Sequence, residues 1–368
     1  MPGGDRVLVV NRPGQAAVCT GPVEPPLPEG SFDVRTVYSG LSAGTELSFF
    51  KGTHPLLKAG WDAELGLFAP WRAPTDYPVR RWGYMQVGRV TRSRTGAVTA
   101  GGYLAMTYGH RAGYRGDPLV DRAVPLPDDL DPLLGIYVAH MGPICANGLL
   151  HAAAELHGAD VRTLADGVRG RRVVITGSGV VGLLTALFAR QHGALEVVLI
   201  EATDARRTAG EALGFTVLDP DAEDPAVLLK TRWRHGPGDR GADVVFQCRG
   251  QAASLAMALR LLRPQGAVID LAFYQSGADA VRLGEEFHHN GLAVRCAQIG
   301  RVPRGLAHLW NRERLSAETI ALLRAEGAHI RQHMITDVLP IERAPELLTA
   351  LARRDRHVLQ AVFTFGAE

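Results

Sequence analysis

Apolar residues follow two different patterns along the chain, and the change between them divides the chain into two regions. Up to about residue 130 they fall in short β-type runs separated by Pro and Gly, which predicts an all-β region. From Val173 onward, short apolar strands alternate with segments of helical spacing, which predicts a parallel sheet with right-handed crossovers. The strands predicted for this sheet are residues 173–176, 196–200, 215–218, 243–248, 267–273 and 293–299. The fold class is therefore predicted to be α/β, with a doubly wound sheet.

Other segments complete this pattern. Residues 50–76 lack clear periodicity, which predicts a long loop or lid within the β-rich region. Helical spacing in residues 133–157, around a Gly-Pro break, marks the start of the second region. A helix over residues 313–326 and a strand over residues 358–365 are predicted near the end of the chain. The aromatic residues in or beside the loop could wall a pocket or pack on neighbouring strands; they are Phe49, Phe50, Trp61, Phe68, Trp71 and Tyr77.

A glycine-rich turn lies between the first strand of the predicted sheet and the helix that follows it. The glycines have the spacing Gly177-x-Gly179-x-x-Gly182, and the next strand ends at Glu201. Gly177 permits the tight turn, Gly179 lets backbone N–H groups approach a diphosphate, and Gly182 lets helix and strand pack closely. The diphosphate would lie at the helix N-terminus, where unpaired N–H groups and the helix dipole favour an anion. The order of strand, glycine turn, helix, strand and carboxylate predicts a Rossmann dinucleotide site.

Side chains near this turn predict which dinucleotide is bound. The Glu201 carboxylate can accept hydrogen bonds from both hydroxyls of the adenosine ribose and would repel a 2′-phosphate, which predicts a preference for NAD(H). Arg206 and Arg207 follow closely and could bind that phosphate, so NADP(H) stays open as an alternative. The carboxyl ends of the later strands should border the nicotinamide. The residues predicted to bind the cofactor are Gly177, Gly179, Val180, Val181, Gly182, Glu201, Arg206, Cys248, Ala272 and Phe273.

Length and composition bound the class of protein. With 368 residues the chain is long enough for two domains. A net charge of +2 and scattered arginines give no footprint for nucleic acid or for an anionic membrane surface. The N-terminus lacks the basic start and apolar core of a signal peptide, no apolar run could span a bilayer, and the cysteines form no CxxC pair. These features predict a soluble, cytoplasmic protein without a nucleic-acid or membrane partner.

Several segments have sequences that are typical of one known family. They are SGLSAGTE at 39–46, GYMQVGRV at 83–90, VPLPDDLD at 124–131, TGSGVVGL at 176–183, GADVVFQCRG at 241–250 and the DVLPIERAPELLTAL tail. Together they resemble the medium-chain dehydrogenase/reductase superfamily over nearly the whole chain. The resemblance implies a GroES-like catalytic domain at residues 1–140, a Rossmann domain at 141–307 and a return to the catalytic domain at 308–368. It also implies hydride transfer with NAD(P) and a small-molecule substrate.

Departures from the superfamily fall at the positions that hold its catalytic zinc. Zinc-dependent members have a Cys just before Gly-Thr-Asp, where this chain has Ser42-Ala43 before Gly-Thr-Glu. They also have Gly-His-Glu where this chain has Gly-Tyr84-Met85. A third ligand falls near residues 140–145, but one surviving donor cannot hold zinc, which takes three protein ligands in a catalytic site. We therefore predict no zinc; the pattern looks most like the branch containing bacteriochlorophyllide a dehydrogenase and bacterial enzymes of specialised metabolism.

Without a metal, a hydrogen-bond donor or a proton relay has to stabilise the substrate oxygen. The resemblance places Thr45 at the superfamily's proton-relay hydroxyl, and Tyr84 replaces a metal ligand, so both could face a substrate oxygen. Glu46 follows as the family's acid does, and its role is structural or catalytic. The predicted catalytic residues are Thr45, Tyr84 and Glu46, with His110, His140 and His151 as further candidates for an acid.

Three functions fit this pattern. The first is a zinc-independent dehydrogenase or ketoreductase acting on an alcohol or carbonyl of a small organic substrate. The second is an NAD(P)H-dependent reductase of an activated C=C or C=N bond, and the third is a catalytically inactive nucleotide-binding protein. The same cofactor fold serves all three, so the sequence does not separate them. The apolar edge strand at residues 293–299 needs covering, which predicts a homodimer or homotetramer.

Overall fold

The computed structural model describes residues 5–21, 26–275 and 277–366. The first four residues, which belong to the N-terminus judged to lack a signal peptide, lie outside the described residues. The chain forms two compact units, one made of the residues up to His140 and from Ile335 onward, and the other made of Met141–Met334.

Strands and helices occur in three successive segments of the chain. The N-terminal segment contains β1 (Arg6–Arg12), β2 (Gln15–Thr20), β3 (Phe32–Gly40), α1 (Ala43–Lys51), β4 (Gly60–Asp62), β5 (Leu67–Ala69), β6 (Gln86–Ser93), β7 (Tyr103–Met106), β8 (Gly113–Gly116) and β9 (Val124–Pro125). The middle segment contains α2 (Met141–His157), β10 (Arg172–Thr176), α3 (Val180–Gln191), β11 (Glu196–Ile200), α4 (Asp204–Ala212), β12 (Thr216–Leu218), α5 (Pro225–Arg232), β13 (Arg234–Gly236), β14 (Asp239–Arg240), β15 (Ala242–Gln247), α6 (Ala252–Leu261), β16 (Leu262–Asp270), β17 (Ala293–Cys296) and α7 (Arg312–His333). The C-terminal segment contains β18 (Ile335–Pro340), α8 (Ala344–Arg353) and β19 (Gln360–Thr364).

The first unit is built around a seven-stranded, mainly antiparallel sheet. Its strand order is β18-β19-β3-β6-β7-β9, with β8 also paired to β3. Val362 of β19 lies opposite Gly40 of β3, so the end of the chain completes the N-terminal sheet. The apolar core is shared in the same way, because Leu8 and Trp82 belong to one buried cluster with Phe363. This architecture confirms the predicted β-rich domain.

Helix α1 interrupts the region that the sequence predicts to be all-β. The Ser42 carbonyl accepts the N–H of Glu46 at 2.8 Å, and Glu46 Oε1 accepts the N–H of Ser42 at 3.1 Å. These two bonds satisfy backbone groups in the first turn, which would otherwise lack partners. Gly52 ends the helix with a φ of 75°, a conformation that glycine adopts without strain. The all-β prediction was wrong at this point because local capping, rather than apolar periodicity, forms the helix.

The predicted loop or lid over residues 50–76 contains a short hairpin formed by β4 and β5. Asp62 holds the hairpin together, because its carboxylate accepts backbone N–H groups within the turn and pairs with Arg72 at 2.9 Å. Phe50 lies in the apolar core, whereas three of the other aromatic side chains are exposed: Trp61, Phe68 and Trp71. Part of this segment is therefore an ordered hairpin instead of an irregular loop.

The second unit is built around a six-stranded parallel sheet in the order β12-β11-β10-β15-β16-β17. Strand β10 lies at its centre, with Val173 paired to Val197 of β11 and to Val244 of β15. The chain order reverses at β10, and such a switch point is where open α/β sheets bind their ligands. The parallel sheet confirms the predicted α/β class.

The second unit extends further along the chain than the sequence suggests. The predicted return to the first domain at residue 308 differs from the structure, in which α7 still belongs to the second unit. Helix α7 packs against α2 so closely that a Cβ at Gly142 would lie 2.1 Å from Thr319 Cγ2. The return therefore begins at Ile335. Throughout the described ranges, every helix is too short or too polar to cross a bilayer.

Candidate active site

The glycine turn after β10 has the close packing that its spacing predicts. Gly177 has a φ of 95°, and a Cβ at Gly182 would lie 1.8 Å from the Gly177 carbonyl oxygen. Larger residues at either position would strain or displace the turn. At Gly179, by contrast, an added Cβ would meet no atom within 4 Å. The turn is therefore packed on its inner side and open at Gly179, where a ligand can approach the backbone.

Polar groups without protein partners surround this open side. Helix α3 begins after Gly179, which provides no side-chain cap, so the first N–H groups of the helix lack intrahelical acceptors. Within the described ranges, the buried Ser178 hydroxyl also has no hydrogen-bond partner. Exposed N–H groups at a helix N-terminus bind anions such as a diphosphate. The residues present therefore fit a dinucleotide.

Glu201 lies directly after β11, at the position predicted for the ribose acid. Its side chain is 1% exposed. Oε2 accepts the N–H of Ser178 at 2.9 Å, and Oε1 accepts the N–H of Thr203 at 2.9 Å. Each carboxylate oxygen can accept a further bond. Glu201 therefore holds the glycine turn in place and still has acceptor capacity for a ribose hydroxyl.

Three arginines lie near this carboxylate in sequence or in space. Arg207 is already engaged, because its guanidinium donates to the Ala202 carbonyl at 2.6 Å and pairs with Asp219 at 3.0 Å. Arg206 is half-buried in the first turn of α4. Arg249, which motif spacing does not single out, brings Nη1 to 3.9 Å from Glu201 Oε1. Its position after β15, the neighbour of β10, is the only signal that could have indicated this approach.

The carboxyl ends of β15 and β16 carry a buried polar network that the sequence pattern does not indicate. Gln247 Oε1 accepts the Ser254 hydroxyl at 3.0 Å, and Gln247 Nε2 donates to the Tyr274 hydroxyl at 3.1 Å. Tyr274 in turn donates to Asp270 Oδ2 at 2.9 Å. Burial raises the pKa of Asp270. This network fixes the segment that contains two predicted cofactor residues, Ala272 and Phe273.

Cys248 lies at the same edge of the sheet. Burial raises the pKa of its thiol well above the ordinary value. A thiol that stays protonated is a weak nucleophile, so Cys248 acts as a small apolar residue at this edge.

In the first unit, the start of α1, the segment before β6 and the residue before α2 bring four polar side chains together. Tyr84 and Ser42 share a hydrogen bond between their hydroxyls, and either can be the donor. Burial raises the pKa of Tyr84 to about 12, the nearby Glu46 charge adds to the rise, and hydrogen bonds with Ser42 and Thr45 oppose it. The His140 ring lies beside the phenol, with 4.5 Å between ring centroids. We call these four side chains, Ser42, Thr45, Tyr84 and His140, the hydroxyl cluster.

Glu46 is adjacent to the hydroxyl cluster and takes part in a chain of buried hydrogen bonds. His110 Nε2 is 2.7 Å from Glu46 Oε2, and His110 Nδ1 is 2.7 Å from the Ser39 hydroxyl. The His110 and Glu46 side chains are 0% and 2% exposed, respectively. Although Ser, His and Glu are the residue types of a hydrolytic triad, a substrate cannot reach this buried set. Glu46 instead orients the backbone of Ser42, which places it in a supporting position.

The side chains at the zinc positions of the superfamily do not fit zinc. Ala43 offers no donor atom, Tyr84 offers a hydroxyl and Met85 offers a thioether, whereas zinc in proteins is held by thiolate, imidazole and carboxylate ligands. Within residues 5–21, 26–275 and 277–366, no three His, Cys, Asp or Glu side chains are grouped as a metal site. Cys145, which falls near the third ligand position, has its Sγ 3.4 Å from the Met141 carbonyl. His151, a candidate acid, has its Nε2 3.2 Å from the Arg301 carbonyl.

Comparisons with known proteins cover part of the chain in sequence. The family model described as zinc-binding dehydrogenase matches residues 180–308. A zinc-type alcohol dehydrogenase-like protein of Escherichia coli K12 is 29% identical over 144 residues, which is 39% of this chain and 37% of that protein. L-threonine 3-dehydrogenase of Pyrococcus horikoshii is 33% identical over 112 residues, which is 30% of this chain and 31% of that protein. The chain thus matches about a third of the length of these curated relatives.

The likeness in fold extends over the whole chain. Galactitol-1-phosphate dehydrogenase of Escherichia coli superposes with a TM-score of 0.74 over 98% of this chain and 99% of that chain, at 14% identity. A switch-point glycine turn in a parallel sheet, joined to a β-rich unit, defines a dehydrogenase-type α/β fold. The family-model match over residues 180–308, the partial matches to dehydrogenases and the shared fold confirm the resemblance to the medium-chain dehydrogenase/reductase superfamily seen in the sequence.

Proposed function

We propose that the protein is a zinc-independent, NAD(P)(H)-dependent oxidoreductase that acts on an alcohol or carbonyl group of a small organic substrate. The observation that carries the proposal is the hydroxyl cluster, in which Tyr84 occupies the position of a zinc ligand in the superfamily and shares a hydrogen bond with Ser42. The open side of the glycine turn supports binding of the nicotinamide dinucleotide, which the reaction also needs. Each unit therefore has one chemical task.

The second unit is proposed to bind the dinucleotide through the turn from Gly177 to Gly182. Backbone N–H groups at the start of α3 and the Ser178 hydroxyl would hold the diphosphate, and Glu201 would accept a ribose hydroxyl. When bound, the nicotinamide donates or accepts the hydride. The acid at Glu201 supports NAD(H) as the preferred cofactor, with NADP(H) as an alternative.

The first unit is proposed to supply the proton. Because its pKa is raised to about 12, Tyr84 stays protonated at neutral pH and can donate to an oxygen that gains negative charge. Ser42 and Thr45 can reorient the phenol and pass a proton to it. At neutral pH the phenol is almost entirely protonated, which is the form that donates to a carbonyl oxygen during reduction, whereas alcohol oxidation would need the phenolate, which is scarce at that pH.

The first experiment tests cofactor use and zinc independence together. Protein purified without added metal should bind one reduced dinucleotide per chain, measured by nucleotide fluorescence, and should contain well under one zinc per chain by elemental analysis. Hydride transfer to a panel of carbonyl substrates should continue after treatment with a chelator, because the donors present do not suit zinc.

Three outcomes would contradict this proposal. Stoichiometric zinc whose removal abolishes turnover would show that a metal supplies the Lewis acid. Binding of dinucleotide with reduction of activated C=C or C=N bonds alone would favour the second class of reductase, and binding without any turnover would favour a nucleotide-binding role.

We also propose that the protein assembles as a homodimer or homotetramer. Strand β17 lies at the end of the six-stranded sheet, where its outer backbone groups face no strand of the described chain. Val294 on this strand is 42% exposed. An exposed apolar edge strand tends to pair with another chain. Light scattering at micromolar concentration should therefore give a multiple of the 39.6 kDa chain mass, and a strictly monomeric mass would contradict this expectation.

A further inference from the structure

The sheet order places three functional segments side by side. Strand β10 lies between β11 and β15, so Gly177 at the end of β10 has Glu201 on one side and Arg249 on the other. The backbones at Gly177 and Arg249 are close, since a Cβ at Gly177 would lie 3.0 Å from Arg249 Cβ. Arg249 Nη1 lies 3.9 Å from Glu201 Oε1. The Arg249 side chain therefore crosses the glycine turn to reach the ribose acid.

The backbone of Arg249 is fixed while its side chain is not. Gln247 Oε1 accepts the N–H of Arg249 at 3.3 Å, and Gln247 Nε2 donates to its carbonyl at 2.8 Å. Gly250 is packed against the Phe273 carbonyl, where an added Cβ would lie 2.2 Å from the oxygen. The Arg249 side chain, however, is 33% exposed, and the 3.9 Å between its Nη1 and Glu201 Oε1 is longer than a charge-assisted hydrogen bond. The backbone of Arg249 is thus held in place, and its side chain has room to turn toward a ligand.

The charges at this point bear on the choice between the two dinucleotides. Glu201 alone would repel a 2′-phosphate on the ribose that it binds. A guanidinium beside it offsets that repulsion and presents planar donors that match a phosphate. Arg207 is committed to the Ala202 carbonyl and to Asp219, so it is poorly placed to do the same. Among the described residues, Arg249 is the arginine whose guanidinium lies beside the Glu201 carboxylate, so it is the candidate that sets the balance between repulsion and attraction.

We propose that Arg249 is the residue that admits NADP(H) beside Glu201, so that it sets the ratio of NADPH to NADH affinity. The proposal rests on the dinucleotide-binding function proposed above. Without Arg249, the buried Glu201 carboxylate loses the guanidinium that offsets its repulsion of the 2′-phosphate. NADH has hydroxyls at that position and needs no cation there.

The test is a fluorescence titration of the full-length protein with NADH and with NADPH. Arg249→Met should raise the Kd for NADPH by about tenfold or more and change that for NADH by less than about threefold, because a charge-assisted phosphate contact is lost. Arg249→Lys keeps the charge but lacks the planar guanidinium, so its Kd for NADPH should lie between those of the unmodified protein and Arg249→Met. Glu201→Gln should shift the ratio the opposite way, toward NADPH. Adding salt should weaken NADPH binding more than NADH binding in the unmodified protein, and Arg249→Met should remove that difference.

Arg282→Met is the matched control. Arg282 also lies 3.9 Å from a carboxylate, that of Glu285, but both side chains are largely exposed on another segment of the same unit. Its replacement should leave both titrations unchanged. Equal weakening of NADH and NADPH by Arg249→Met would mean that Arg249 binds the diphosphate, and an unchanged ratio would mean that it binds neither group; both results overturn the proposal. If the unmodified protein binds neither dinucleotide, the proposed function fails as well.

Discussion

Replacing Tyr84 by Phe should lower turnover by about 10²- to 10⁴-fold while NADH binding stays intact. The substitution removes one oxygen, which shares a hydrogen bond with Ser42 and is proposed to donate the proton. Thr45→Val should lower turnover by a smaller factor if the threonine acts through the phenol. Single-turnover measurements of NADH oxidation, with separate titrations of the cofactor, distinguish loss of proton donation from loss of binding.

Tyr114→Phe provides the matched control for this experiment. Tyr114 lies in the same unit, is partly buried, and donates a hydrogen bond to Asp121 at 2.7 Å, so its replacement also removes one bonded phenol. Turnover should stay near that of the unmodified protein. Full activity in both Tyr84→Phe and Thr45→Val would place the proton donor elsewhere, and His140 beside the Tyr84 ring would then be the next residue to test.

The pH dependence of the reduction rate gives a second test of Tyr84 as the proton donor. With its pKa raised to about 12, the Tyr84 phenol keeps its proton through the neutral range. Loss of that proton therefore cannot account for a fall in the reduction rate near neutrality. Such a fall would point instead to a group that titrates there, such as a histidine.

The dinucleotide site was predictable because its elements are consecutive in the chain. Strand, glycine turn, helix and second strand follow one another from Arg172 to Glu201, and each glycine has a local steric reason for its place. Local spacing therefore indicates both the turn and the acid. Arg249 was not predictable in the same way, because its approach to Glu201 depends on the order of strands in the sheet.

In the first unit too, contacts between residues far apart in the chain could not be predicted from sequence spacing. Its residue types could be compared with the zinc positions of the superfamily, and that comparison singled out Thr45, Tyr84 and Glu46. The bond between Tyr84 and Ser42 joins residues 42 positions apart. The partner of Glu46, His110, lies 64 positions further along the chain. Spacing carries no information about such contacts, so the sequence left the role of Glu46 open between structural and catalytic, and its buried partners became visible only in the fold.

His110→Ala should destabilise the protein by about 3–5 kcal/mol, because it removes the side-chain partner of the buried Glu46 carboxylate and leaves Oε2 without that bond. The Ser39 hydroxyl would lose a bond as well, and a void would open where the imidazole now packs edge-on against Trp82 and Phe363. Midpoints of denaturant unfolding, followed separately for each transition if two appear, measure the loss.

Controls separate the buried pair from an ordinary ion pair. His329→Ala removes a histidine whose ring is 64% exposed beside Glu326, and such surface pairs contribute about 0–1 kcal/mol. Adding Glu46→Gln to His110→Ala should recover part of the stability, because the amide can be buried without a charge. A loss below about 1 kcal/mol for His110→Ala, equal to that of His329→Ala, would show that the buried pair does not hold α1 in place. Recovery in the double variant would instead assign the cost to the unpaired carboxylate, as the geometry around Glu46 requires.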